Sequence, residues 1–358
     1  MNVDVVIVGG GPAGCSSALT LILNGYSVAI VDADKRTEKP TETASHHLKP
    51  LLNALNAEST LSACEPCYGI STDWGRDTPV FQSSILNPFG HAWFIHRTRF
   101  DSCLRQLVRD QKATWIEASV QCAEFNSKGI KITTDYADIQ AKWVIAATGS
   151  TVWPARITNQ KSKAIDLMIA FWGYVPKNLE ERLLYVETIA DGWWYICPTD
   201  GMGMNACFVT DAKAARKLRL LQGSNLNKLF QTTELHRRLN INTDMSLIKT
   251  MHTGLAELPQ RSGRGWIAVG DSAVKLDPLG SSGTLTALDS GYRAGMAISL
   301  ALQGDLSSID RYEFWSKSLL KDFIKQREPQ YAIEKNRYKN DFWTRRILSE
   351  NFLESVSV

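Results

Sequence analysis

The chain has 358 residues, 44% of them hydrophobic and 22% charged, enough for one large core or two smaller ones in an ordinary globular protein. A net charge of +3 without any long block of like charges excludes the electrostatic footprint of a nucleic-acid partner. No apolar run approaches the roughly 18 residues of a membrane helix, no basic leader opens the chain, and seven scattered cysteines fit reduced thiols, so a cytoplasmic location with no membrane partner is expected.

Asp4 to Val8 is a short apolar strand, and Gly9-Gly10-Gly11-Pro12-Ala13-Gly14 follows it without a gap. Ala18 to Leu23 continues as a helix, Gly25 ends it, and Tyr26 to Val31 reads as a second strand with Asp32 at its end. Glycines at 9, 11 and 14 have the spacing of a dinucleotide fingerprint: they permit the tight turn, the approach of backbone to pyrophosphate and close helix packing. An acid at position 32 is placed to accept hydrogen bonds from a ribose.

Lys35 to Lys49 is polar and loop-like, and contains Thr41-Glu42-Thr43 and the pair His46-His47. Adjacent histidines on a regular element point different ways, which argues against a shared ligand. Pro50 to Leu61 reads as helical. Cys64-Glu65-Pro66-Cys67 has no second Cys or His pair at metal spacing, leaving a redox role or a local structural one and no metal site. Tyr68 to Gly75 and Asn87 to Trp93 mix aromatic and turn-forming residues, which suggests a pocket wall or a small sheet. Arg97 to Asp101 opens a helix with Phe100, Leu104 and Leu107 on one face. An Arg there is placed to meet a pyrophosphate.

Thr114 to Val120, Gly129 to Thr134 and Trp143 to Ala147 are strand candidates, the last running into Thr148-Gly149. No second GxGxxG occurs, so a single dinucleotide site holding a resident flavin is expected. Ser150 to Glu257 changes character, with alternating runs such as Leu183 to Val186, Trp193 to Cys197 and Met204 to Val209 separated by Asp-Gly turns. On a strand, Trp193 and Tyr195 face one way and Trp194 the other, which suits either a core or a cavity wall. The stretch Val269 to Gly291 then reads strand, acid, loop, helix, a loop that offers backbone N–H groups and a helix N-terminus to one place. Ile309 to Asn351 is charged, aromatic and helical, with Pro329 as a break. Phe342 to Arg346 reads as a helical cap or as a docking face for a partner.

Gly9 to Gly14 with Asp32, Arg97 to Asp101, and Gly270-Asp271 to Gly283, in this order, resemble the FAD-dependent monooxygenases and halogenases built like p-hydroxybenzoate hydroxylase. The resemblance implies an α/β fold: a Rossmann-like FAD-binding domain with an inserted antiparallel-sheet substrate domain and a C-terminal helical segment. The expected divisions are 1–155 and 258–305 for the FAD domain, 156–257 for the substrate domain and 306–358 for the helices. It further implies that FAD lies against Gly9, Gly11, Pro12, Ala13 and Gly14, with Asp32 on the adenosine ribose, Arg97 on the pyrophosphate and Asp271 on the ribityl chain or phosphate. Pro278, Gly280, Ser281, Ser282 and Gly283 would face the flavin ring, and Glu42 and Val120 complete the implied contacts.

Asp277 to Gly283 and Thr41-Glu42-Thr43 look like the halogenase branch. Yet halogenation of tryptophan needs a lysine, and Pro50 to Gln111 contains none. Gly280 stands where that branch has an acid, and its Trp-x-Trp-x-Ile-Pro signature is altered to Trp193-Trp194-Tyr195-Ile196-Cys197-Pro198. Val274-Lys275 also departs from the small or His residues usual after Gly-Asp-Ala. A narrower match is to flavoproteins of the LodB and GoxB type, carried by Tyr68-Gly69, Ser71 to Gly75, Pro88 to Trp93, Asp191 to Trp194 and Phe342 to Arg346. That resemblance implies a monooxygenase that hydroxylates a Trp of a precursor quinoprotein amino-acid oxidase during formation of cysteine tryptophylquinone. Its partners would be the precursor, O2 and an external electron donor, with His46, His47, Trp193 and Tyr195 as pocket candidates. A small-molecule halogenase or hydroxylase, or a non-catalytic maturation chaperone, are the other readings.

Overall fold

The computed structural model describes residues 1–33, 38–150, 160–179, 181–201, 203–222 and 224–348. Strand β1 (Asn2–Val8) leads through the glycine turn into helix α1 (Pro12–Leu23), and β2 (Val28–Asp32) returns parallel to β1. The segment that follows holds β3 (Glu42–Ala44), α2 (Leu48–Ala54), β4 (Cys64–Cys67), β5 (Gly69–Thr72), β6 (Val80–Ser83) and β7 (Ala92–Ile95). Then come α3 (Arg97–Asp110), β8 (Thr114–Glu117), β9 (Val120–Asn126), β10 (Gly129–Thr134) and β11 (Asp138–Ala146). In the next region, β12 (Lys163–Val175), β13 (Leu183–Ile189), β14 (Gly192–Pro198) and β15 (Met204–Thr210) precede three short helices, α4 (Ala212–Lys217), α5 (Asn225–Gln231) and α6 (Glu234–Arg238). The chain finishes with β16 (Ser246–Glu257), β17 (Ser262–Gly263), β18 (Trp266–Ala268), β19 (Val274–Lys275), α7 (Gly283–Leu302), α8 (Ser307–Tyr338) and α9 (Asp341–Thr344).

Two eight-stranded sheets organise these elements. In the first, β18, β11, β1, β2 and β8 are parallel neighbours, with β17 at one edge and β10 and β9 added antiparallel on β11. Because helices or loops cover both faces, β1 is apolar without alternation. Val5 and Ile7 pack on α1, α3 and α7, while Val6 and Val8 pack on the other side with Leu320 and Ile324 of α8. The second sheet runs β19-β16-β12-β15-β14-β13-β5-β6. It is antiparallel except that β5 joins β13 in parallel, so residues 69–83 extend the sheet formed by residues 163–257. The expected boundary at 155/156 lies outside the described residues.

Two expectations about the fold need correction, and one open alternative is decided. Pro50 to Leu61 is not one helix: α2 stops at Ala54, Asn56 takes a left-handed conformation, and a 3-10 turn covers Glu58–Ala63. Pro329 does not break α8, which is helical for 32 residues, a span of about 48 Å at the usual rise. Its flanks are pinned instead, since Arg327 and Tyr331 are fully buried on either side of the proline and hold the helix in place across the missing backbone bond. Of the two readings of Phe342 to Arg346 the structure supports the helical cap over the docking face, since Phe342 and Trp343 are completely buried and pack with Tyr331, Trp193 and Tyr338.

Helices α1 and α7 bring the two ends of the chain together. Their contact uses small residues: a Cβ on Gly291 would lie 2.2 Å from the Ala13 carbonyl, and the Ser16 hydroxyl donates to the Leu288 carbonyl at 2.6 Å. Among the described residues no helix is long and apolar enough to cross a membrane.

Candidate active site

The N-terminus of α1 opens onto a groove of about 400 Å³ lined by Gly9 to Ala13, Asp32, Lys39, Glu42, Arg97 and Arg105. Gly9 has a φ of 111°, and a Cβ there would meet the Ala147 carbonyl at 2.2 Å; this close approach is what lets the turn sit against β11. Gly14 packs its backbone on Gly9 in turn. Gly11 caps α1 without any side-chain hydrogen bond, and a Cβ there would meet nothing within 4 Å, so the first-turn N–H groups face open space. Asp32 accepts from the Gly10 amide. Arg105 donates from Nε to the Gly10 carbonyl at 3.0 Å.

Arg97 is buried between two carboxylates. Its Nε and a terminal nitrogen donate to Asp101 at 3.1 Å each, the other terminal nitrogen donates to Glu42 at 2.5 Å, and Lys39 also binds Asp101 at 3.1 Å. Burial alone would disfavour these charges. Glu42 and Asp101 nonetheless hold the guanidinium above its usual range, and Arg97 and Lys39 hold Asp101 below the usual carboxylate value. Glu42 also accepts from the Thr284 hydroxyl at 2.6 Å, tying this cluster to the start of α7.

A second cavity of about 570 Å³ adjoins the groove. Glu42, Met251, Asp271 and Gly283 line both spaces and form the seam. The second sheet provides one wall: Trp193 and Tyr195 point into the cavity, and Trp194 is buried on the opposite face among Phe208 and Phe230. Trp74 stands edge-on to Trp193 at 5.7 Å and donates to the Gln330 carbonyl at 3.1 Å. The other wall is the 277–283 loop, of which Pro278, Leu279, Ser281, Ser282 and Gly283 reach the cavity.

That loop is held from behind. The Asp277 carboxylate accepts from the Leu279 amide at 3.0 Å and from buried Arg327, whose other nitrogens reach Asp166, Glu328 at 2.9 Å and the Arg346 carbonyl at 2.7 Å. Arg346 in turn contacts Asp166 at 3.0 Å. One guanidinium on α8 thereby fixes the loop, strand β12 and the tail together.

Asp271 stands at the seam between the cavities and is accessible from them; the protein around it pushes its carboxyl up, opposed by Lys275. The Ser150 hydroxyl lies 3.4 Å from it. Tyr195 has its hydroxyl pushed well above the usual value by burial and by Cys207.

Several implied site residues fall elsewhere. Gly280 turns away from the cavity: a Cβ there would meet Phe323 of α8 at 3.1 Å. Val120 begins β9 and reaches neither cavity, since the chain turns off after the Ala118 amide bonds the Asp32 carbonyl at 3.1 Å. His46 and His47 also line neither cavity. Because they sit in a turn and not on a regular element, their rings lie together at 4.1 Å, with His46 stacked on Phe89. No metal-binding cluster exists among the described residues. Cys64 is pushed up to about 12 by burial and Cys67 is also raised, so neither is a primed thiolate. Trp74 lies in the Tyr68 to Gly75 stretch expected as a pocket wall, whereas Lys39 and Arg105 have no place in the sequence reading. Arg105 lies two i+4 steps from Arg97 on one helix face, a signal present in the sequence.

The fit to FAD follows from these features. An uncapped helix N-terminus over a side-chain-free turn, two cations and an acid at the end of β2 match the adenine dinucleotide part, and the adjoining cavity behind the 277–283 loop is the space left for a flavin ring.

Comparison with known proteins agrees with this geometry. Residues 3–177 match the family model for pyridine nucleotide-disulphide oxidoreductases. The FAD-dependent oxidoreductase LodB of Marinomonas mediterranea is 23% identical over 96% of both chains. The flavin-dependent halogenase CmlS superposes with a TM-score of 0.84 at 20% identity, covering 100% of this chain and 70% of that one. QhpG, a peptidyl tryptophan dihydroxylase essential for tryptophylquinone cofactor biogenesis, superposes with a TM-score of 0.69 at 21% identity, covering 97% and 79%. In fold the chain is like the flavin-dependent halogenases and monooxygenases, and along nearly its whole length it is similar to LodB, as its motifs imply.

Proposed function

We propose that this protein is an FAD-dependent monooxygenase that hydroxylates a tryptophan side chain of a partner protein, the precursor of a quinoprotein amino-acid oxidase, during cysteine tryptophylquinone formation. The observation that carries the reading is the aromatic-walled chamber of about 570 Å³ joined to a dinucleotide groove along Glu42, Met251, Asp271 and Gly283. Similarity to the FAD-dependent oxidoreductase LodB over 96% of both chains supports the flavin chemistry, and the fold shared with QhpG, a peptidyl tryptophan dihydroxylase, supports a protein-bound tryptophan over a free one.

When bound and reduced by an external donor, FAD supplies the two electrons with which O2 delivers one oxygen atom to an electron-rich ring. The chain's own residues bind and shield. The α1 N-terminus, Arg105 and Lys39 hold the anionic linkage, Asp32 the ribose and Asp271 the hydroxyls of the chain beyond it. Trp74, Trp193 and the loop enclose the substrate ring and exclude water, which prevents wasteful reduction of O2.

The test is to purify the chain with the precursor oxidase, reduce the flavin, admit isotopically labelled O2 and weigh the tryptic tryptophan peptide. One labelled oxygen on that tryptophan is expected, and an unmodified peptide overturns the proposal. The overlap with CmlS favours a second reading, halogenation of a small molecule, which predicts chloride-dependent turnover of free indoles or phenols. Gly280 and the lysine-free stretch 50–111 weigh against it.

A further inference from the structure

We propose that Lys275 is the proton acceptor of the chamber: its amine takes the proton that the substrate ring carbon loses as the new C–O bond is completed. The assignment rests on the monooxygenase reading above. Lys275 lies on β19, whose pairing with Ala256 and Glu257 of β16 brings it to the chamber wall beside Asp271 and the 277–283 loop. Its Nζ donates to the His252 carbonyl at 2.8 Å, and among the described residues it has no carboxylate partner within ion-pair distance.

The remaining titratable groups of the chamber are committed. Glu42 accepts from Arg97 and Thr284, and Asp277 accepts from Arg327 and the Leu279 amide. Tyr195 keeps its proton. Arg76 and His252 are exposed at the mouth, and guanidinium has no lone pair to offer. Asp271 is assigned to the cofactor's hydroxyls in the reading above. Lys275 is left as the amine on the chamber wall, with its Nζ held on the His252 carbonyl toward the mouth.

Its surroundings shift the amine toward the neutral form. Burial pushes the amine below the usual lysine range, Asp271 opposes this, and Glu257 on β16 is engaged by Arg261. A neutral amine is what the chemistry requires. When oxygen is transferred to an indole carbon, that carbon holds both its hydrogen and the new oxygen until a base removes the proton and the C–H electron pair returns to the ring. Water serves in solution; a chamber that excludes water must supply the base. Overall, Trp–H, O2, two electrons and two protons give Trp–OH and H2O. O2 is the oxidant, the externally reduced flavin the electron source, and the ring proton leaves the amine with the second oxygen atom as water.

Three variants and one titration test this in the full-length, FAD-loaded chain with its precursor oxidase. Acylation of Lys275 as a function of pH, read by peptide mass, should be half-maximal well below the exposed lysines; coincidence with them overturns the proposal. Lys275→Met should lower tryptophan oxygenation about 100-fold, within the span of general-base effects, while the reduced flavin is still oxidised by O2. Lys275→Arg keeps the charge but lacks the lone pair, so it should fail equally, and wild-type oxygenation by it overturns the base role. Lys275→His should restore part of the oxygenation, with the rising limb of its pH profile displaced to lower pH. Variants that oxygenate like the wild type sink Lys275 alone. A wild-type chain that adds no oxygen sinks the monooxygenase reading and the base role with it.

Discussion

Asp101 beside the nucleotide groove and Glu187 under the chamber sheet are both buried carboxylates, yet burial has opposite outcomes for them. Asp101 is surrounded by Arg97 and Lys39, which outweigh desolvation and hold it below the usual value. Glu187 accepts from the backbone amides of Glu234 and Leu235, at 2.9 and 2.5 Å, and desolvation, with the nearby charges of Asp73 and Glu234, pushes it up. Asp73 and Glu334, also on the chamber side, are raised by burial although Arg337 stands beside both. The half that must receive an anion carries fixed, mutually compensated charge. The half that must receive an aromatic ring leaves several buried carboxylates raised, even where a cation stands beside them.

Substitutions at the glycine turn draw the sharpest distinction between the halves. Gly14→Val should yield no folded protein, because its Cβ would sit 1.9 Å from the Gly9 carbonyl. Gly11→Glu, with open space around it, should fold with native circular dichroism and lose FAD, which absorbance of the purified protein reads directly. If Gly11→Glu still matures the partner oxidase, the chain is a chaperone and not an enzyme.

Breaking the junction between the halves comes next in size. Arg327→Met leaves Asp166 and Asp277 buried without their cation, and chemical denaturation should show a loss of about 3–5 kcal/mol. Arg105→Ala removes one charge-assisted contact from the groove rim and should weaken FAD binding about tenfold with little change in melting temperature.

The smallest expected effect is on pH dependence, and it has opposite sign in the two halves. A raised Glu187 contributes stability that is fully present below 4.5 and is lost as pH rises through its folded value. A lowered Asp101 contributes stability that is present above 3.8 and is lost as pH falls through its folded value. Between neutrality and pH 4.5, hydrogen exchange should therefore show β13 and β14 gaining protection on acidification while β1 and α1 do not. Glu187→Gln should flatten the first response and leave the second.

The sequence revealed the nucleotide half more fully than the chamber half. Gly9 to Gly14 and Asp32 are local signals, each fixed by neighbours within a few residues, and the periodicity around Trp193 and Trp194 correctly assigns their faces. The chamber depends on distant pairings. The parallel addition of β5 to β13 carries Trp74 to the wall across more than a hundred residues, and no local pattern encodes that. Arg327 reads as one more charge on a charged helix, yet it is among the most deeply buried side chains. At Pro329 tertiary burial overrides a local propensity, and at Phe342 to Arg346 burial of Phe342 and Trp343 decides for the helical cap over the docking face.

The α1–α7 contact has a consequence for the order of assembly. The Ser16 hydroxyl finds its carbonyl partner 272 residues later, and the groove is walled by Val269 to Asp271 and Thr284. During synthesis the glycine turn emerges first, but its opposite wall is among the last quarter of the chain to be made. At ordinary elongation rates of about 5–20 residues per second, the nascent chain spends many seconds with half a cofactor site, so flavin loading is an event of the finished polypeptide. Chains truncated before Gly283 should emerge flavin-free however early their first strand and helix form.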